Sequence, residues 1–461
     1  MSLPDTLTSI GENAFRDSRI ESIVIPDSVT SIGANAFQNC QYLVYATLPN
    51  NSSYKIIGDN MFRTCVSLEA IVIPDQITEI GSYAFNYCTN LSSVALPSDL
   101  KTIKSYAFET CEALTSISFP GSLETIGERA FSQDTNLHDV NGLGVVNYNV
   151  TKRTIGNYAF YKTGIRSLKM ELTTAYSSQT IEIGNRAFNQ CSELYYVCLW
   201  GKNDSTLGTG AFSQCYGLTS LELRGFSNIN RDSFSNCTSL VSVAIDMDIR
   251  STDVTINDSA FYNCYSLTQV SSACGTLSIL NGAFENCVQL RRIGYPKSAY
   301  GLSGNNKIQV IGDSAFKNCS SLEEIDLRYV TEIGQSAFES CFALKSVTIP
   351  DTITTLSQGA FIGCTSLENV YLPSSVTNIS SNVFSGAKIK TLTIVYNSSD
   401  TYSIEDGAFY NCTIETINFT GTSAQYQTII SSAGFENTSH HNDVLLPTNP
   451  DVTFHYNYVE A

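Results

Sequence analysis

Apolar and polar positions along this chain follow a unit that starts again every few dozen residues. The stretch from Leu68 to Cys88 reads LEAIVIPDQITEIGSYAFNYC. Leu68, Ile71 and Ile73 are apolar and Pro74 follows; then come Ile77, Ile80, Gly81, Ala84, Phe85 and Cys88. Ile71 and Ile73 alternate with Ala70 and Val72, a period of two that predicts a short strand. Neighbouring units supply Val94/Leu96, Ile117/Phe119, Val347/Ile349 and Val370/Leu372. Proline ends many of these strands, as at Pro26, Pro97 and Pro350, because it cannot donate to a ladder.

The phenylalanine near the end of the unit recurs at Phe15, Phe37, Phe62, Phe85 and onward to Phe409, in steps of 22–32 residues. A period of this size predicts a repeat solenoid in which each unit packs mainly on its neighbours. The expected form is a curved, right-handed coil of about 17 repeats. Parallel strands, one per repeat and about 4.8 Å apart, would be joined by short turns, 3₁₀ or helical segments. Five residues before every one of these phenylalanines stands Ile or Leu, since a stacked position must fit copies of itself. Gly follows that position in ten units, and Asn230 and Asn257 replace it in two. Gly and Asn together suggest left-handed backbone there, as a preference only, because Lys104 and Leu280 take the same place.

Thirteen of the 15 cysteines stand three residues after the phenylalanine; Ser18, Asp134, Thr163 and Ala387 fill the remaining copies. Small size is the shared property, so the column reads as buried free thiols. A one-dimensional column offers no convergent metal ligands. Cys198, pointing outward from its strand, and Cys274, in a connecting loop, lie off the column and are too far apart to pair.

With 26 basic and 43 acidic residues the net charge is −17, which disfavours nucleic-acid and anionic-lipid partners. No apolar run is long enough to span a membrane. Leu3-Pro4-Asp5 matches Ile25-Pro26-Asp27 and opens in mid-repeat, so a first strand, any N-terminal cap and an export signal are expected upstream. None of the phosphate-binding, dinucleotide, nucleophile-elbow or zinc-protease motifs occurs. His440 and His441 are neighbours in a short polar stretch and do not read as a metal site. No catalytic residue, metal or cofactor is expected.

The unit resembles the leucine-rich repeats of BspA-like surface proteins; Ile25–Cys40, IPDSVTSIGANAFQNC, carries the pattern at nearly every position. The resemblance covers roughly residues 3–415. Ile417–Ile430, INFTGTSAQYQTII, with the later run from Val452 to Asn457, resembles the closing module that follows such repeats. Two regions are therefore expected, a solenoid over 1–415 and a C-terminal cap over 416–461. The resemblance implies a non-catalytic, secreted or surface-held binding protein that contacts a host matrix protein, another cell or a glycan. A stalk presenting another module is the alternative reading, and a polysaccharide-active enzyme, with Glu324 and Asp326 paired on one strand, a third. A monomer is expected.

Two groups of outward strand residues stand out as partner-binding candidates. One is Lys169, Tyr196, Trp200 and Glu222; the other is Arg292, Glu324, Asp326 and Tyr371. Trp, Tyr and Arg commonly anchor interfaces. Extra residues around 141–152, 171–180, 246–254, 295–307 and 396–402 all follow the strand and precede the Ile-Gly turn, so they should project from one edge. Tyr295 and Tyr300 on one of these insertions complete the candidate set.

Overall fold

The structure, a computed structural model, describes residues 3–144, 150–171, 179–202, 204–246, 252–294, 307–396, 402–432 and 443–459. The insertion residues Tyr295 and Tyr300 lie outside them. Among the described residues the strands pair in parallel, and an isolated antiparallel bridge joins Asp204 and Phe226. The chain is a parallel β-solenoid organised as two compact units, one built on residues 1–240 and the other on 249–461.

Most coils contribute two strands, one more than the alternation predicts. The first is the expected one. In the N-terminal unit it runs through Ser22–Val24, Tyr45–Thr47, Ala70–Val72 and Ser93–Ala95. The second contains the Ile that precedes the Gly, and it forms a ladder from Ile56–Ile57 through Glu79–Ile80 and Thr102–Ile103 to Thr206–Leu207. These strands are often only two residues long, too short to leave a period-two signature in the sequence. Their Ile side chains point inward and are buried. The insertions leave the first ladder and return to the second. Lys152–Ile155 and Thr180–Ile183 lengthen the second ladder where the insertions around 141–152 and 171–180 come back. Arg153 holds the first of them. Its buried guanidinium donates to the carbonyls of Leu123 (3.0 and 2.8 Å), Gly142 (3.0 Å) and Leu143 (2.6 Å).

The third side of the coil is the Ala-Phe segment, and it is built from turns, not from helix. In one copy the N–H groups of Ala84, Asn86 and Cys88 donate to the carbonyls of Gly81, Tyr83 and Phe85 at 3.3, 3.2 and 3.1 Å. The intervening N–H groups of Tyr83, Phe85 and Tyr87 donate instead to Ser105, Ala107 and Glu109 of the next coil, at 3.1, 2.7 and 2.9 Å. A 3₁₀ helix would spend all of these donors internally. Sharing them between coils gives a third ladder along the molecule.

The left-handed residues sit two before and two after the phenylalanine, not after the Ile. Tyr83 and Tyr87 have φ of 57° and 59°, and Ser314 and Asn318 have φ of 54° and 61°. The predicted left-handed Gly column has ordinary φ. It is glycine because successive coils touch there: a Cβ on Gly312 would stand 2.8 Å from the Asn281 nitrogen and the Leu280 carbonyl carbon. Close backbone approach is glycine's other use.

Between the three sides lies the core. The phenylalanines stack in register from Phe15 to Phe234 in the N-terminal unit, with ring centroids 5.0–5.5 Å apart and planes within 11°. Phe261 to Phe409 stack likewise in the C-terminal unit at 5.2–5.6 Å, with planes within 9° except for Phe384 and Phe409 at 25°. These are offset stacks, the arrangement that the ring quadrupole favours. All 15 cysteines are buried free thiols. The column thiols also act as donors: Cys88 and Cys341 reach the carbonyls of Phe62 and Phe316 of the preceding coil at 3.1 and 3.2 Å.

At the C-terminal end, Thr453–Tyr456 extends the first ladder by pairing with Thr413–Phe419. Between them the chain forms a helix, Ser423–Ser432. Thr422 and Gln425 cap it reciprocally, each backbone N–H bonded to the other's side-chain oxygen at 2.7 and 3.3 Å. Tyr426 packs edge-on against Phe419 and Phe454 at 5.1 and 5.6 Å. Among the described residues no helix is long and apolar enough to cross a membrane.

Candidate binding surface

Three adjacent strands of the N-terminal unit, Ser167–Glu171, Tyr196–Trp200 and Ser220–Arg224, are the longest of its first ladder. Their register aligns Lys169, Cys198 and Glu222 in one outward row and Glu171, Trp200 and Arg224 in the next. The first candidate group is therefore brought together. Tyr196 donates its hydroxyl to Glu222 at 3.2 Å, Lys169 pairs with Glu171 at 3.0 Å, and the Arg224 guanidinium lies 5.9 Å from the Trp200 ring centroid.

Cys198 points outward as expected, yet its neighbours cover it. Its thiol faces Glu171 at 3.5 Å and Glu222 at 4.0 Å. Burial and the two carboxylates push the thiol up to about 12, against the pull of Tyr196. A thiol that stays protonated at neutral pH is not a nucleophile. Burial first, and then the Cys198 and Glu222 contacts, raise the Tyr196 phenol as well. The carboxylate of Glu171 raises the exposed Lys169 ammonium. The patch is a charged, aromatic surface whose polar groups already satisfy one another.

The second candidate group is not assembled in this way. Arg292 lies on the two-residue strand Arg292–Ile293, beside Gln269. Glu324 and Asp326 are on no strand: residues 322–327 run irregularly, and the first ladder resumes at Ser346–Thr348. The strand expected there is interrupted, so these two carboxylates do not form a pair on a ladder. Gly294, with a φ of 123° that suits glycine, follows the end of this strand. Asp326 folds back onto Arg328 through two short bonds of 2.9 and 2.7 Å, and this arginine holds its carboxyl below the ordinary range. Tyr371 stands farther along, between Thr348 and Thr393.

Another outward feature escaped the sequence reading. At the left-handed position before the phenylalanine, five successive coils carry Tyr83, Tyr106, Arg129, Tyr158 and Arg186. Tyr83 stacks on Tyr106 at 4.6 Å, with Arg63 over its ring at 5.1 Å. Arg129 and Arg186 both lie over Tyr158, at 5.0 and 5.9 Å, and Arg186 donates to its hydroxyl at 2.9 Å. Bulky side chains are costly in left-handed backbone. The column was visible in the sequence at two residues before each phenylalanine, but its meaning needed the φ angles.

Comparison with known proteins matches this architecture. A family model described as the BspA type leucine rich repeat region, in six copies, matches residues 1–55, 55–178, 153–291, 298–401 and 394–458. A leucine-rich repeat protein from Bacteroides ovatus is similar over 90% of each chain, with 23% identity and a TM-score of 0.54, a likeness in fold. A leucine rich cell surface protein from Faecalibacterium prausnitzii matches at 21% identity and a TM-score of 0.30, covering 93% of this chain and 89% of that one. A search of the curated proteins found no match. With the family model spanning nearly the whole length, this chain belongs to the proteins built from BspA type leucine-rich repeats.

Proposed function

We propose that the chain is a non-catalytic binding protein, secreted or held at a bacterial cell surface. It recognises a host matrix protein, another cell or a glycan by outward side chains of the solenoid. The observation that carries this reading is the pair of registered rows at Lys169, Cys198 and Glu222 and at Glu171, Trp200 and Arg224. Three consecutive coils present an aromatic ring flanked by both signs of charge, and such anchors concentrate binding energy. The buried, protonated Cys198 offers the patch no nucleophile. In this reading residues 416–461 are the cap over the last coil, and the protein acts as a monomer whose many small contacts add up.

The experiment is a binding screen of the purified chain on immobilised matrix proteins and glycans, followed by Trp200→Ala and Lys169→Ala. Trp200→Ala should weaken a saturable interaction at least tenfold while leaving the thermal melt unchanged. A proven partner that binds the Trp200→Ala protein with full affinity removes this patch from the reading. Silence of the folded protein across the panel turns the assignment toward a stalk.

A further inference from the structure

We propose that the notch beside Arg291 and Arg292 binds the carboxylate of an acidic sugar, a uronate or a sialate; this deepens, and rests on, the binding reading above. The notch lies in the C-terminal unit where the first ladder stops. Its volume is about 640 Å³, within the range of small-molecule clefts, about 300–1,000 Å³. Arg291, Arg292, Gln269, Gln289, Ser271 and Ser321 line it, with Thr268 and Gly294, and among the described residues no carboxylate does.

That composition is unusual for a chain with a net charge of −17. Most cations elsewhere in the structure are paired or stacked: Lys104 with Glu79, Lys317 with Glu339, Arg328 with Asp326. Among the described residues, the side chains of Arg291 and Arg292 have no hydrogen-bond or ion-pair partner. The acids of the next coil do not neutralise them: Asp326 is held by Arg328, and neither Glu323 nor Glu324 forms an ion pair with them among the described residues. Two exposed guanidinia with no acid between them attract an anion. The planar fork of each matches a carboxylate with two parallel bonds.

The rest of the wall selects the kind of molecule. Gln269 stands beside Arg292 in register, and Ser271 is two residues further along the same face. Amide and hydroxyl groups both donate and accept, which is what sugar hydroxyls require. Among the described residues no aromatic or aliphatic side chain lines the notch to anchor a peptide. The opening itself follows from the broken ladder. Gly294 ends the strand, its N–H is bonded to the Val270 carbonyl at 2.9 Å, and the following coil adds no strand to cover Arg292.

The test titrates the full chain, by calorimetry at low salt, with methyl α-sialoside and methyl galacturonide. Their methyl esters, a neutral methyl galactoside, a sulfated disaccharide and a glutamate-rich peptide serve as comparisons. The acids should bind, and their esters at least tenfold more weakly. Arg291→Gln and Arg292→Gln should each reduce affinity about tenfold, the scale of a lost charge-assisted hydrogen bond. Both sites are exposed, so melting curves should not move. Equal binding of acid and ester, preference for the sulfated sugar or the peptide, or full affinity in both arginine variants overturns the proposal. If the acidic sugars do not bind while a Trp200-dependent partner does, the notch assignment alone fails. Binding of the acids through Arg292 with no Trp200-dependent partner retains the notch and discards the Trp200 patch.

Discussion

The thiol of Cys341 donates to the carbonyl of Phe316, 3.2 Å away in the preceding coil. The same bond recurs from Cys65 to Phe37 and from Cys364 to Phe338, at 3.1 and 3.3 Å. The column is therefore a file of donors as well as of small side chains. Where serine or threonine replaces cysteine the hydroxyl stays in the file: Ser18 meets the Cys40 sulfur at 3.3 Å, and Thr163 bonds the Phe160 carbonyl at 3.0 Å.

Cys341→Ala should consequently cost about 1 kcal/mol more than apolar burial alone explains, the net worth of a buried hydrogen bond. Cys341→Ser keeps the donor and should recover part of that loss. Denaturant melts of the two variants check the order; equal stability would show that the thiol acts by size only. Burial also pushes the Cys88 and Cys364 thiols up to about 12. Native protein at pH 8 should leave both unlabelled by an alkylating reagent that modifies them quickly in urea.

Gly312 and Ser314 belong to one turn and should respond oppositely to exchange. Gly312→Ala puts a methyl group against the Asn281 and Leu280 backbone and should destabilise by about 1–3 kcal/mol, the range for overpacking. Ser314 has φ of 54°, where glycine is at ease. Ser314→Gly should be neutral or stabilising, by up to about 1 kcal/mol. Midpoints of unfolding for the two variants provide the check, and a harmless Gly312→Ala would refute close backbone approach as the reason for glycine at this position.

Asp134 occupies a cysteine position and is fully buried. One carboxyl oxygen accepts the Cys111 N–H at 2.7 Å; the other has no partner among the described residues. Burial raises this carboxyl well above its ordinary 3.8, so the folded state holds a proton that the unfolded chain releases. The cost of ionising it is absent below about pH 3.8 and grows as pH rises above that value. Asp134→Asn should therefore raise the melting temperature at pH 7 and have a smaller effect near pH 4. A gain of the same size at both pH values would refute the titration argument.

Tyr426 ties the terminal helix to the last coil. Its buried hydroxyl donates to the Leu445 carbonyl at 3.1 Å. Tyr426→Phe should lose about 1 kcal/mol, whereas Tyr426→Ala should lose about 3–5 kcal/mol by opening a cavity among Phe419 and Phe454. Hydrogen exchange of Thr413–Phe419 should accelerate in the alanine variant alone; protection unchanged in both would separate this module from the stability of the coil.

The sequence by itself determined the repeat, the parallel first ladder, the buried Ile, Phe and Cys columns, and the placing of Lys169, Tyr196, Trp200 and Glu222 on three neighbouring strands. A stacked core position must accept copies of itself, so the linear period reports the packing directly. Tertiary structure decided what depends on contacts between coils. A two-residue strand has no periodicity to read, so the second ladder was invisible. Gly312 is set by the backbone of Leu280 and Asn281 above it, which no local pattern encodes. The Tyr and Arg stripe acquired meaning only when positive φ and mutual stacking were seen. The irregular course of residues 322–327, which leaves Glu324 off the ladder and Arg292 without a strand on its far side, was likewise visible only in the structure, because the apolar positions Leu322 and Leu327 carry no sign of it.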